Sequence, residues 1–206
     1  VGIFSGPVER GVGSRAERTM TRVEAEVIGT ERLSLVPQRV EHAREMAVVL
    51  SDPALHTFIG GEPASGEELR ARCARMAAGP ADPAVSWCNW VVRLGGDRGP
   101  LVGTVQATIG PAGPDRPGGA GLVADIAWVV GTTAQGRGIA TEAARGLVGW
   151  LEQRPEVGDI AAYIHPGHLA SQAVARAAGL EPTDEWHDGE VRWLRGRHEG
   201  LRPEAR

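Results

Sequence analysis

Lysine is absent from all 206 residues, and cysteine, phenylalanine and tyrosine are nearly so, at two, two and one copies. Without lysine there is no Gly-Lys-Ser/Thr element, which excludes a triphosphate-binding loop of the P-loop kind. Cys73 and Cys88 stand in no C-x-x-C or other metal-ligand spacing. A zinc site or a disulfide framework is therefore not expected, and both residues read as free thiols in a reducing compartment. No apolar run reaches the ~18 residues of a membrane-spanning helix, and Val1 to Phe4 is too short for the core of a signal peptide. A cytoplasmic protein with no membrane partner is the expectation. A dominant charge is also missing: 22 arginines face 26 acidic residues, a formal net charge of −4. With no clustered basic stripe, nucleic acid is not expected as a ligand.

The chain is long enough for one domain with a substantial core, and its 42% hydrophobic content is ordinary for a soluble protein. Residues 1–25 are rich in Gly, Arg and Glu without periodicity and read as a disordered extension. A domain over 26–195 and a charged tail over 196–206 complete the expected organisation. Within the domain the pattern predicts a strand over 31–36 and a helix over 37–50, with Val40, Ala43, Ala47 and Leu50 on one face. A second helix, 65–77, opens on the capping box Ser65-x-x-Glu68. Strands 87–94 and 101–109 flank a Gly/Pro-rich turn and read as a hairpin, followed by a loop over 110–120. Strand 122–130 leads into helix 137–153, which is expected to bury Ala140, Ala143, Leu147 and Leu151. Strand 159–164, helix 170–178 and a hairpin over 180–194 turning at Asp188-Gly189 close the order. This is an α+β arrangement with a mixed sheet, because some strands are joined by tight turns and others by helices.

The most informative stretch runs from Trp128 to Ala143, where an apolar strand passes through Gln135-Gly136-Arg137-Gly138-Ile139-Ala140 into an Ala-rich helix. The first turn of a helix leaves backbone N–H groups without partners and carries the positive end of the macrodipole, so a phosphate there is satisfied twice. Gly136 and Gly138 let oxygens approach the backbone without meeting a Cβ. A dinucleotide fingerprint would need a third glycine where Thr141 stands. The competing reading is a glycine-rich turn without a ligand.

These residues resemble the Q/R-x-x-G-x-G/A signature of the GNAT superfamily of acyl-CoA-dependent N-acyltransferases, filled by Gln135, Gly138 and Ala140. The resemblance extends from about Thr30 to Leu194. Thr30 to Pro37, Ser51-Asp52-Pro53, His165-Pro166-Gly167-His168-Leu169-Ala170-Ser171 and Gly179-Leu180 look like elements of its RimJ/RimL branch, with His168 at the usual Asn position and Leu180 at the usual Phe. The resemblance implies the GNAT fold, a central mixed and mostly antiparallel sheet flanked by helices. It implies acetyl-CoA as acyl donor, with the diphosphate on Gln135, Gly136, Arg137, Gly138, Ile139 and Ala140. The pantetheine arm and thioester would meet the strand amides of Val129 or Val130, and His168 would bond the cofactor arm. The acceptor would be a primary amine, on a small molecule or a protein N-terminus, and a homodimer is admitted.

Acyl transfer to an amine needs a neutral nucleophile, a polarised carbonyl and a protonated leaving thiol. At pH 7, deprotonating an α-amine of pKa ~8 costs about 1.4 kcal/mol and a lysine amine of pKa ~10.4 about 4.6 kcal/mol. Asp125, ten residues before Gln135, matches a proton-relaying Glu of the resembling family, and its apolar flanks favour a raised pKa. A strand carboxylate paired with an arginine is the equal alternative. Glu142, in the first turn of a helix, is explained by the dipole alone. Ser171 matches the serine that protonates the departing thiolate in the RimJ/RimL branch, with a helix-capping serine as alternative. The tyrosine used elsewhere in the superfamily is replaced by Ala175. His165 and His168 form an H-x-x-H pair with no third ligand nearby, so no metal is expected. Trp87 and Trp90 point to opposite faces of a strand, one to the core and the other to an acceptor cleft. Two rival functions remain at this stage, an acyl-CoA-binding sensor without turnover and a nucleotide-binding protein.

Overall fold

The computed structural model describes residues 22–113, 117–118 and 121–196. Their strands form one eight-stranded sheet in the order β1-β2-β3-β4-β5-β6-β8-β7. The strands are β1 (Ile28–Gly29), β2 (Leu33–Pro37), β3 (Ser86–Leu94), β4 (Leu101–Pro111), β5 (Leu122–Val130), β6 (Val157–Ile164), β7 (Glu181–His187) and β8 (Glu190–Gly196). Only β5 and β6 pair in parallel. The helix between them, α4 (Ile139–Glu152), makes the crossover a parallel pair requires. The mixed, mostly antiparallel sheet read from the sequence is the one observed.

Each face of the sheet has its own cover. Helix α4 lays Ile139, Ala143, Ala144, Leu147, Val148 and Leu151 on one face, joined by Val174 and Ala175 of α5 (Leu169–Ala177). On the other face α1 (Ala43–Val49) and α3 (Gly66–Ala78) pack Ala43, Met46, Leu69 and Cys73 over Val91, Leu101 and Val129. Strand alternation sorts β5 between the two: Ala124, Ile126, Trp128 and Val130 face α4, and Val129 faces α1 and α3. Four of the six tryptophans, Trp90, Trp128, Trp150 and Trp193, are buried in the α4-side core. Trp90 and Trp150 meet edge to face with centroids 5.0 Å apart, an arrangement worth about 0.5–1.5 kcal/mol beyond area burial. Both cysteines are free and buried, and burial pushes the Cys88 thiol up to about 12, far from any nucleophile.

Where the chain departs from its sequence reading, local geometry gives the reason. The helix expected from residue 37 starts later, because Pro37 still pairs with Trp90 and the Gln38 N–H donates to the Asn89 carbonyl. A 3-10 turn, Val40–His42, leads into α1, which buries Met46 rather than Ala47. Helix α4 begins at Ile139, not 137, because Gly136 and Gly138 have φ of 72° and 73°, a region closed to a right-handed helix. Ala140 is partly buried, not core. Strand β1 and the short α2 (His56–Ile59) carry no periodic signal and were not expected. Residues 22–25, expected in a disordered extension, are held instead: the Val23 N–H donates to Ser86 Oγ and an Arg22 Nη2–H donates to the Pro80 carbonyl. Residues 1–21 and 197–206 lie outside the described residues. Among the described residues no helix is long and apolar enough to cross a membrane.

The turn between β1 and β2 is clamped to the first turn of α4 by Glu142. Its Oε1 accepts from Thr30 Oγ1 at 2.6 Å and from the Arg32 N–H at 2.7 Å, and its Oε2 accepts from Arg32 Nε at 2.6 Å. Burial pushes the Glu142 carboxyl up, but these bonds outweigh it and leave the group below its ordinary value. A carboxyl held low stabilises the fold above its unfolded pKa of ~4.3 and loses that contribution as pH falls through the folded value. Glu142→Gln is expected to lower stability at pH 7 by about 1–3 kcal/mol. In denaturant unfolding the gap from wild type should close below pH 4, and a gap independent of pH would remove the charge from the clamp.

Candidate active site

Strands β5 and β6 are neighbours for only half of their length. Their register runs Leu122↔Val157, Val123↔Asp159, Ala124↔Ile160 and Asp125↔Ala161, and stops. Beyond it β5 keeps its partner β4 as far as Val130, and β6 keeps β8 as far as Ile164. A wedge therefore opens between the carboxyl ends of two parallel strands. The Gly131 N–H donates to the Val102 carbonyl on β4, so by alternation the polar groups of Val129 also turn toward β4 and those of Trp128 and Val130 toward the wedge. This corrects the expectation for Val129, whose amide is committed to the sheet. One of the Val130 groups is already taken, its carbonyl accepting from Gln135 Nε2 at 2.9 Å.

At the open end of the wedge the chain turns into α4. Gln135, Gly136, Arg137 and Gly138 are all exposed, and an added Cβ on Gly136 would meet nothing within 4 Å. Gly138 is the N-cap and no side chain caps the helix, whose first internal bond runs from the Glu142 N–H to the Gly138 carbonyl. The N–H groups of Ile139, Ala140 and Thr141 therefore end the helix at an exposed glycine turn. The Arg137 carbonyl accepts from Arg32 Nη1 at 3.1 Å, fixing the loop from behind. Expected diphosphate contacts 135–140 thus lie together on one accessible turn, and their chemistry fits an anion.

On the β6 side the chain leaves the sheet at Ile164 and enters α5 with His168 as N-cap and Ser171 at the third helical position, half-buried. His168 does not turn to the wedge alone. Its ring stacks on Phe58 of α2, with centroids 4.3 Å apart and planes at 18°, and His165 tilts against the same ring at 5.6 Å. Burial, then the charge of His165, pulls the His168 imidazole below its ordinary value. A neutral, stacked imidazole joins the cap of one face to the helix of the other.

Asp125 stands on the face covered by α1 and α3, at the last paired position before the wedge. Its cross-strand neighbours are Thr108 and then Trp87. Trp87 is half-buried there, while Trp90 is fully buried on the opposite face, as their spacing predicted. The Trp87 Nε1–H is buried without a hydrogen-bond partner, an unfilled donor on the same row as Asp125. Beside this row, a small cavity under α3 is lined by Gln38, Arg72, Asn89 and Gln106. Among the described residues no three His, Cys, Asp or Glu side chains converge on a metal position.

A sequence model described as an acetyltransferase (GNAT) domain matches residues 32–181. The chain belongs to the GNAT acetyltransferase family. Solved structures agree in fold. An acetyltransferase (GNAT family) from Bacillus anthracis superposes with a TM-score of 0.65 at 17% identity, over 83% of this chain and 98% of the other. RimL, a ribosomal L7/L12 alpha-N-protein acetyltransferase in complex with coenzyme A, gives 0.64 at 17% identity over 83% and 98%. AAC(6')-Ib in complex with ribostamycin and coenzyme A gives 0.65 at 20% identity over 85% and 100%. No protein of curated function matches the sequence at significance.

In this GNAT chain the residues 135–140 expected to hold the cofactor lie on one turn, Asp125 is in the last paired row before the wedge, and His168 and Ser171 open the helix that follows β6. Sequence reasoning had these positions. It missed Phe58, whose short helix has no pattern to read, and the commitment of the Val129 amide, which only a register decides. It also missed Arg192, which lies on the face of Asp125. The period-two alternation of the last hairpin would have put Arg192 inward. Glu142, read from the sequence as a helix-terminus acid explained by the dipole alone, is bonded instead to Thr30 and Arg32. Phe58→Ala is expected to shift the His168 titration upward, because the stacked ring covers one face of the imidazole. Imidazole proton shifts followed against pH would show it, and an unmoved titration would place the burial elsewhere.

Proposed function

We propose that this enzyme transfers an acetyl group from acetyl-CoA to a primary amine by direct attack within a ternary complex. The observation that carries the reading is the coincidence of three features at one end of the sheet: the wedge after Asp125/Ala161, the exposed Gly136–Gly138 turn and the uncapped start of α4. A thioester with a diphosphate-bearing tail matches all three. In this reading the amides of Gly136 to Ala140 hold the diphosphate, with the Gln135 and Arg137 positions completing the turn. The N–H groups of Trp128 and Val130 line the wedge where the arm and the carbonyl oxygen would lie.

Bound acetyl-CoA supplies an activated acyl carbon and a thiolate leaving group. The chain's own residues do the rest. Asp125 takes the proton of the acceptor ammonium, which frees the nitrogen lone pair to attack. Ser171, in the first turn of α5, hydrogen-bonds the departing sulfur, whose conjugate acid has a pKa of ~8.5, and relays to it the proton that the attacking nitrogen sheds as the amide forms. His168 borders the arm through its stack with Phe58. Ala175, at the position of the superfamily's tyrosine, carries no ionisable group and cannot serve as the acid.

The acceptor class takes its support from the side of the sheet that Asp125 occupies. RimL is named for a protein α-amine and AAC(6')-Ib is described as an aminoglycoside acetyltransferase, so both small amines and a protein N-terminus suit the scaffold. A cytoplasmic setting agrees with two unpaired cysteines.

Titration calorimetry with coenzyme A, then a thiol-reactive dye with acetyl-CoA and a panel of amines, tests the reading. Binding together with amine-dependent release of free CoA is the expected result. Binding without release from any amine would favour a sensor, and no binding would end the proposal. Asp125→Asn and Ser171→Ala form the paired test of roles. Asp125→Asn should lower turnover roughly 10²-fold at pH 7 and less at pH 9, where more of the amine is already neutral. Ser171→Ala should slow turnover with CoA affinity unchanged. Wild-type rates in either variant would return that residue to a structural role.

A further inference from the structure

Tyr163, the single tyrosine of the chain, follows Ala161 by two positions on β6, just beyond the last register pair with β5. Alternation sends Ile160, Ala162 and Ile164 into the α4-side core and Tyr163 to the face of Asp125. Neighbouring strands lie ~4.8 Å apart, and a diagonal position two residues on is ~7–8 Å away, within reach of a phenol. The electrostatics agree with that proximity. Burial raises the Tyr163 phenol, the Asp125 carboxylate raises it further, and Arg192 pulls it back.

Arg192 stands directly opposite Tyr163 on β8 and is 2% exposed. One of its terminal nitrogens donates to Glu185 Oε2 at 2.9 Å and the other to the Pro117 carbonyl. Its Nε–H is buried with no hydrogen-bond partner. Leaving a buried donor unfilled costs about 1–3 kcal/mol, and the phenol oxygen across the ladder is the acceptor that would fill it. A phenol oxygen that accepts from Arg192 keeps its one O–H for another acceptor. The anion beside it, on the wedge side, is Asp125.

We propose that Tyr163, anchored by Arg192, is the positioning residue for Asp125, donating its O–H to the carboxylate and holding it at the mouth of the wedge. The proton then passes from the acceptor ammonium to the other carboxylate oxygen, and from the acid so formed to solvent. A hydrogen bond to the charged form also keeps Asp125 ionised against the desolvation of its site. The other charged or titratable groups around the pair are Glu190 on β8, Glu185 and His187 on β7, and Asp159 on β6. The His187 ring is 5.6 Å from Tyr163. Strand β4 contributes Thr108, which does not titrate.

The catalytic part of this inference rests on Asp125 as proton acceptor, and its test reads the contact without turnover. In protein carrying 13C at its aspartate carboxyls, with the Asp125 signal assigned by its loss in Asp125→Asn, Tyr163→Phe should raise the Asp125 titration by about one unit. In the same variant kcat at pH 7 should fall roughly tenfold, with CoA affinity unchanged. An unmoved carboxyl titration overturns the proposal. A moved titration with full activity in Asp125→Asn overturns the positioning role while acetyl transfer stands. Absence of turnover with every amine instead sinks the reading of function, and the carboxyl titration still decides the contact.

Discussion

The parting of β5 from β6 after Asp125 and Ala161 is the constraint on which the rest of the site depends. An interior strand normally fills both edges, because an unpaired backbone N–H or C=O away from water is costly. Here one edge of β5 is left open over Ile126 to Val130, and the strand stays in place because β4 pairs with it throughout. Strand β6 is likewise held by β8 to its last residue. Two rigid pairs diverge from a common hinge row, and the polar groups of the diverging edge are presented to a ligand without any loop having to order itself.

The two faces of the sheet divide the work. The α4 side is apolar and dense, with four buried tryptophans and the small residues Ala143, Ala144 and Ala175 where helices meet strands. The α1/α3 side is apolar only near Val91, Leu101 and Val129, and beyond that patch carries Trp87, Asn89, Gln106, Thr108, Asp125, Tyr163 and Arg192. A polar row on a sheet face is stable only when its groups are paired or reach solvent. That row leads to the wedge. The Phe58–His168 stack ties the two sides together at the rim.

Elements whose identity depends on local signals were legible in the sequence. The capping box at Ser65 and Glu68 formed as read. Strand β5 spans the residues expected, and the last hairpin turns at Asp188 and Gly189 with φ of 48° and 82°. The glycine turn was legible because positive φ and missing Cβ atoms are properties of residue type. What escaped depends on partners distant in sequence. Strand β1 is two residues long and exists because β2 is beside it. Helix α2 is one turn between a proline and two glycines. The amide of Val129 points to β4 for reasons of register, which no single strand contains.

Reliance on main-chain groups also accounts for how little sequence the fold requires. Solved acetyltransferases superpose over nearly their whole length at 17–20% identity. A diphosphate gripped by N–H groups asks only for two positive-φ residues and an uncapped helix, and a wedge asks only for two strands with other partners. Neither demand names a side chain. Under the proposed function, selectivity for the acceptor falls to side chains, on the face that holds Trp87 and Asp125. The buried, unfilled Trp87 Nε1–H is the clearest mark of it. An acceptor that offers an oxygen to that donor while placing its amine at Asp125 repairs a deficit already present in the free protein. An amine lacking that oxygen leaves the deficit in place, and the difference between the two falls within the range of one hydrogen bond, about 1–3 kcal/mol.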